Sequence, residues 1–192
     1  RLQATLLLCE QGYSLHPATL LEYAKSAYTI AEELNDKVSA AKAMYNESAA
    51  LTNKGLLDSA LAVANKCEDI LKTSLNDPLL LANILNQKGR CFVRKNQYKE
   101  AIQMGYDVIE LAEKNKDPLL QVKAKTLIGW AYLEMGQQQE AIQWHLKALN
   151  TTSDTMLLQK YAILYGNIAT NYNNLGKLDS AFYYMQKGID CA

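Results

Sequence analysis

Four alanines set the frame of this chain. Ala60, Ala101, Ala141 and Ala181 recur at intervals of 41, 40 and 40 residues. The surroundings recur with them. LDSA fills Leu57–Ala60 and again Leu178–Ala181, each time two places after a glycine, Gly55 or Gly176, while KEA and QEA close on Ala101 and Ala141. DPLL occurs at Asp77–Leu80 and at Asp117–Leu120. Nine to twelve residues before each alanine lie the pairs Ser48/Leu51, Gly89/Phe92, Gly129/Tyr132 and Ala169/Tyr172; seven residues after it lie Cys67, Val108, Ala148 and Gly188. Leu20, Ala24 and Ala27 carry the register upstream. A chain with such a period folds as copies of one supersecondary unit, each burying its apolar face on its neighbours. Five units are expected, at 1–36, 37–76, 77–116, 117–153 and 154–192, forming one domain.

Within a unit the apolar residues fall at helical spacing, as Leu81, Ile84 and Leu85 do in one segment and Ala101, Ile102, Val108, Ile109 and Ala112 in the next. Asp77-Pro78 and Asp117-Pro118 read as helix starts, with Asp as the N-cap and Pro at the first helical position. Gly55, Gly136 and Gly176 stand where first helices end, the place for a left-handed residue. The spacing predicts helix pairs 2–14 with 17–35, 37–53 with 57–75, 78–95 with 98–115, 118–135 with 138–151, and 155–174 with 178–191. Only nine Gly and three Pro leave too few turns for a sandwich or barrel of short strands. The fold class is all-α.

The arrangement Gly129-x2-Tyr132, Gly136, Ala141, Ala148 resembles the tetratricopeptide repeat (TPR) family. Ala169-x2-Tyr172 with Gly176 and Ala181 repeats it, as does Gly89-x2-Phe92 with Ala101. The period is near 40 where the family keeps 34, the signature Trp is absent, and Gly105, His145 and Met185 stand where it carries an aromatic. Those departures look like the long-helix variants of bacterial signalling regulators. The resemblance implies a right-handed superhelix of about five antiparallel helix pairs whose concave face, lined by the first helix of each pair, binds an extended peptide or protein segment.

Carried onto this sequence, the groove-facing places are Lys42, Tyr45, Asn46 and Asn53 in the second unit. They are Asn83, Asn86, Gln87, Arg90 and Arg94 in the third, Lys123, Thr126, Trp130 and Glu134 in the fourth, and Asn167, Thr170, Asn173 and Asn174 in the fifth. An Asn amide both donates and accepts, as a peptide backbone requires; Arg grips a carboxylate with two N–H groups; Trp130 is an apolar anchor of the kind favoured at interfaces. The Lys/Asn/Arg order of the family's carboxylate clamp is not reproduced.

Catalysis is not expected. The two histidines are read as a solvated turn residue, His16, and a core residue, His145; nucleotide-loop, zinc-helix and nucleophile-elbow patterns are absent. No cofactor or metal is implied. Cys9, Cys67, Cys91 and Cys191 are scattered without a metal or redox spacing and read as small helical hydrophobes. Twenty basic and twenty acidic residues give zero net charge, against direct nucleic-acid binding, and no apolar run is long enough to span a membrane. Glu32, Glu33, Glu110 and Glu113 read as solvated helix residues. The sequons at Asn46 and Asn150 read as chance. Both ends are apolar and uncapped, RLQATLLLCE at one and Phe182, Met185 and Ile189 at the other. The expectation is therefore a piece of a longer chain, with a second copy as one candidate to cover the ends. GKLDSAFYYMQKG is similar to repeats of bacterial regulators that place such an array before a histidine kinase or DNA-binding domain. A scaffolding or oligomerisation segment without a peptide of its own is the alternative.

Overall fold

The computed structural model describes residues 1–10, 16–151 and 162–191, and every regular element among them is helical. The chain divides into two compact units, Arg1–Lys95 and Asn96–Ala192. Unit one holds α1 (Leu2–Glu10), α2 (Pro17–Glu33), α3 (Lys37–Asn53), α4 (Leu57–Ile70) with a π-helical turn at Leu71–Leu75, and α5 (Pro78–Arg94). Unit two holds α6 (Tyr98–Lys114), α7 (Pro118–Glu134), α8 (Gln138–Leu149), α9 (Ile163–Asn174) and α10 (Leu178–Asp190). The expected helix ends agree to within two residues, except that 2–14 and 155–174 run into residues outside the described set. The sequon Asn150–Thr152 also runs outside it.

Each of the seven helix-to-helix turns that lie wholly among the described residues carries one left-handed residue. Gly55, Asn96, Gly136 and Gly176 follow first helices, and Asn35, Asn76 and Lys116 follow second helices, all with φ between +46° and +81°. The chain then reverses in a Schellman arrangement, with Asp36 N–H donating to Ala31 O at 2.9 Å, Leu56 to Leu51 at 3.0 Å and Lys177 to Tyr172 at 2.9 Å. An aspartate caps the helix that follows a second-helix turn. Asp77 accepts from Leu79 N and Leu80 N, Asp117 from Leu120 N, and Asp36 from both the N–H and the hydroxyl of Ser39. The Ser39 hydroxyl bond holds the Asp36 carboxyl below the usual carboxylate value.

These turns explain the odd interval. From Leu71 to Asn76 the chain takes one step more than from Ala112 to Lys116, its counterpart in the next repeat. The extra residue sits in the π-helical turn, where Asn76 N–H reaches back five residues to Leu71 O. A one-residue insertion is thus absorbed locally, and the 40-residue register resumes at Asp77.

In unit one, Ala24, Ala27, Ala31, Ala40, Ala43, Ala60 and Ala64 are buried at the helix crossings, so backbones approach closely. One cluster joins Ala41, Met44, Ala64, Cys67, Leu71, Leu80 and Ile84 across α3, α4 and α5. Glu68 on α4 ties down both Lys72 and Lys88, each at 2.6 Å. Burial pushes its carboxyl up, but the two lysines outweigh that and hold it below its ordinary value. In unit two, Val122, Ala148 and Leu164 link α7, α8 and α9. The fully buried Ile128, Leu164 and Ile168 each contribute about 1.5–3 kcal/mol by leaving water.

Candidate functional site

The candidate binding residues fall on two faces, one on α3 and α5 and one on α7 and α9. Within each face the two first helices are neighbours, and the second helix between them packs on both.

On α3, Lys42 and Asn53 are exposed and Tyr45 is half-buried against the Met44 cluster. Asn46 is only 6% exposed, and its amide donates to Lys42 O at 3.0 Å. On α5, Asn83 is half-buried and donates to Leu79 O at 2.9 Å; Asn86 Oδ1 is buried without a hydrogen-bond partner among the described residues. Arg90 is half-buried and Arg94 exposed.

Behind the arginines runs a buried polar chain; Gln87, expected on the groove face, belongs to it and is 1% exposed, because Thr52 and Ser48 on α3 take up its amide. The Thr52 hydroxyl donates to Ser48 O at 2.8 Å and accepts from Gln87 Nε2 at 2.6 Å; Ser48 Oγ donates to Ala60 O at 3.0 Å. Because the one Thr52 proton goes to Ser48, the Cys91 thiol, 3.0 Å away, is the donor to Thr52 Oγ1. Gln87 Oε1 then accepts from Arg90 Nη1 at 3.1 Å, and Arg94 Nη1 donates to Thr52 O at the end of α3. Arg94 thus closes a helix C-terminus, whereas Arg90 is oriented from behind by a fixed amide. The signal of this polar chain in the sequence was the i, i+4 pairs Ser48/Thr52 and Gln87/Cys91, set where the fourth repeat has Gly129/Leu133 and Leu127/Ala131.

In unit two, Lys123 and Thr126 are half-buried, Thr126 donating to Val122 O at 2.7 Å. Trp130 is half-buried, with its indole N–H on Glu134 Oε1 at 2.8 Å, so the ring is held along α7. On α9, Thr170, Asn173 and Asn174 are exposed; Asn167 is half-buried and its carbonyl accepts the amide of fully buried Asn171 at 2.7 Å. Asn171 Oδ1 has no partner among the described residues.

His145 is in the core, fully buried, with neither ring nitrogen hydrogen-bonded. Burial pushes it down to about 4, so it stays neutral near pH 7. His16 is exposed, and its Nδ1 accepts from Ala18 N at the start of α2. Cys9, Cys67 and Cys91 are buried and none is in a disulfide; burial pushes Cys67 up to about 12. Among the described residues no group of three or more His, Cys, Asp or Glu is placed to hold a metal, and no helix is long and apolar enough to cross a membrane.

Fold and face together define an α-helical repeat array that presents ordered polar side chains from its first helices. Residues 80–153 match the tetratricopeptide repeat family. The chloroplastic protein FLUORESCENT IN BLUE LIGHT of Arabidopsis thaliana is 31% identical over 93 residues, which are 48% of this chain and 29% of that protein. Aspartyl phosphate phosphatase F from Bacillus subtilis superposes with a TM-score of 0.78 at 21% identity, covering 88% of this chain and 44% of that one. NprR in complex with its cognate peptide NprX superposes at 0.75 and 21% identity, covering 90% and 49%. This chain therefore spans less than half the length of each of these relatives. The stretch that matches the tetratricopeptide repeat is therefore residues 80–153, and the fold is that of TPR-like helical solenoids.

Proposed function

We propose that this chain is a non-enzymatic recognition segment that binds an extended peptide or protein strand along its first helices. One observation carries the reading. Arg90 is a partly exposed cation with no carboxylate partner among the described residues, and it is positioned by Gln87, which Thr52 and Ser48 hold in turn. A cation fixed in that way is pre-organised for an acidic group, which lowers the ordering cost of binding. One turn before Arg90 on α5 stands Asn86, and on α7 of unit two the half-buried indole of Trp130 offers an apolar anchor of its own. The peptide held by structurally similar NprR supports the ligand class.

The test is binding to a set of extended peptides that differ by one acidic residue, read by fluorescence anisotropy. Arg90→Ala is expected to weaken the acidic members by about tenfold or more, in line with a charge-assisted hydrogen bond, in a protein that still folds but melts somewhat lower, because Gln87 Oε1 loses its donor. Unchanged binding in both Arg90→Ala and Trp130→Ala, each folded, removes the reading. A second reading follows from the similarity to NprR and to the phosphatase, of which this chain spans less than half: it is the sensory or scaffolding region of a larger bacterial regulator. The full-length gene decides that point, since effector domains beside the array support it and a stand-alone repeat protein removes it.

A further inference from the structure

Arg90 and Arg94 stand one turn apart near the end of α5, so their side chains leave the helix on one face, with Cβ atoms about 6 Å apart. Like charges so placed repel, and no carboxylate answers either of them among the described residues. The ion pairs there join Glu68 to Lys72 and Lys88, and Asp58 to Lys95. The Cys91 thiol senses the crowding of cations. Burial pushes it up, while the Thr52 contact and then Arg90, Arg94 and Lys95 all pull it down. Asp58 offsets Lys95; the two arginines remain.

Both guanidiniums are tethered in the same manner. Arg90 gives an Nη1 hydrogen to Gln87 Oε1, and Arg94 gives one to Thr52 O. Each therefore keeps Nε and Nη2, an edge that can make a two-pronged bond to an oxyanion. At Arg94 the approach to that edge is open. Gly55, just beyond α3, presents no side chain, and a Cβ there would meet Arg94 Nη2 at 4.0 Å and nothing closer.

Charge selects the ligand. A carboxylate brings one charge and two oxygens, enough for one fork, and leaves the second arginine unanswered. A phosphoryl group brings about −1.5 to −2 charges at neutral pH and three acceptor oxygens, enough for both. The cations are also paired at one place only. At the same register positions the second repeat has Ala49 and Asn53, the fourth Trp130 and Glu134, and the fifth Thr170 and Asn174. A strand acidic along its whole length would meet such a pair only on α5.

We infer that Arg90 and Arg94 together seat one phosphorylated side chain of the bound strand. This rests on the recognition reading above and narrows its acidic group to a phosphoryl group.

The test titrates the whole chain into three libraries of short labelled peptides, alike except for phosphoserine, glutamate or serine fixed at the central position, read by fluorescence anisotropy. The phosphoserine library is expected to bind about tenfold tighter than the glutamate library, and the serine library more weakly still. Arg94→Lys keeps the charge, and its side chain is long enough to reach Thr52 O, but it loses the fork. It is expected to bring phosphoserine to within about threefold of glutamate, as is Arg90→Lys, with circular dichroism showing both variants folded. A phosphoserine preference that survives in both lysine variants overturns the inference. Inorganic phosphate that displaces the phosphoserine library at equal concentration also overturns it, since the seat then takes the free anion. Glutamate bound as tightly as phosphoserine, with Arg90→Ala weakening both, sinks the phosphoryl assignment and leaves the recognition reading standing. Binding of none of the three libraries removes both.

Discussion

The imidazole of His145 occupies the space that Gly129 leaves by having no side chain: a Cβ on residue 129 would stand 2.5 Å from Cε1 and 2.6 Å from Nδ1. The ring is fully buried and has nowhere to retreat. Gly129→Ala is therefore expected to cost about 1–3 kcal/mol by overpacking, despite alanine's better helix propensity. Urea denaturation measures it. Adding His145→Ala to Gly129→Ala should recover part of the loss, and strict additivity of the two changes contradicts this packing account.

The same histidine gives unit two a pH dependence of known sign. Its folded value lies at about 4 against 6.5 for a free imidazole, because burial penalises the charged ring. The unfolded chain therefore binds the proton first. The stabilising contribution is complete above about pH 6.5 and is lost as pH falls toward 4, by about 3 kcal/mol at roughly 1.4 per unit. His145→Phe, which restores the aromatic found at that place in the family, should flatten the stability profile between pH 7 and 4.5. An unchanged slope in that variant assigns the dependence to other groups.

Thr52 and Gln87 make an asymmetric pair. Thr52→Val leaves Gln87 Nε2 with only the long 3.4 Å contact to Ser48 O, and removes the acceptor of the Cys91 thiol. A buried polar group stripped of its partner costs about 1–3 kcal/mol. Gln87→Leu, the residue at the same place in the fourth repeat, takes away donor and desolvation together and is expected to cost less than Thr52→Val. It also frees Arg90. The double substitution should be milder than the sum, as a thermal melt of all four proteins will read.

Lys116 is the one left-handed turn residue among the described residues that is neither Gly nor Asn, with φ of 54°. Its Cβ crowds the following carbonyl, at about 1 kcal/mol. Lys116→Gly is expected to raise stability by about that amount, with binding unaffected. A loss of stability would mean that the lysine side chain has a structural role of its own.

The period, the caps and the core role of His145 were legible in the sequence because each is local or repeated. Ala60, Ala101, Ala141 and Ala181 announce the register, and Asp77-Pro78 and Asp117-Pro118 announce helix starts by their own chemistry. Asn96 was passed over because asparagine advertises a left-handed turn less loudly than Gly55 or Gly136, and Lys116 does not advertise one at all. The binding faces were only half readable. Register places Asn46 and Gln87 on the same stripe as Asn83 and Arg90, but burial depends on how closely neighbouring first helices approach. That approach is set by alanines and by the Thr52 hydroxyl far off in the chain. Helical asparagines also have a local alternative: Asn46, Asn83 and Asn171 all turn their amides back to a carbonyl four residues earlier.

The junctions Asn35-Asp36, Asn76-Asp77 and Lys116-Asp117 have one further consequence. Each closes the helix behind it and opens the helix ahead with bonds confined to about five residues on either side. They are natural seams. A gene that duplicates or deletes the span between two of them hands on whole modules with finished ends, so the length of such an array can drift by recombination while every surviving helix keeps both of its caps.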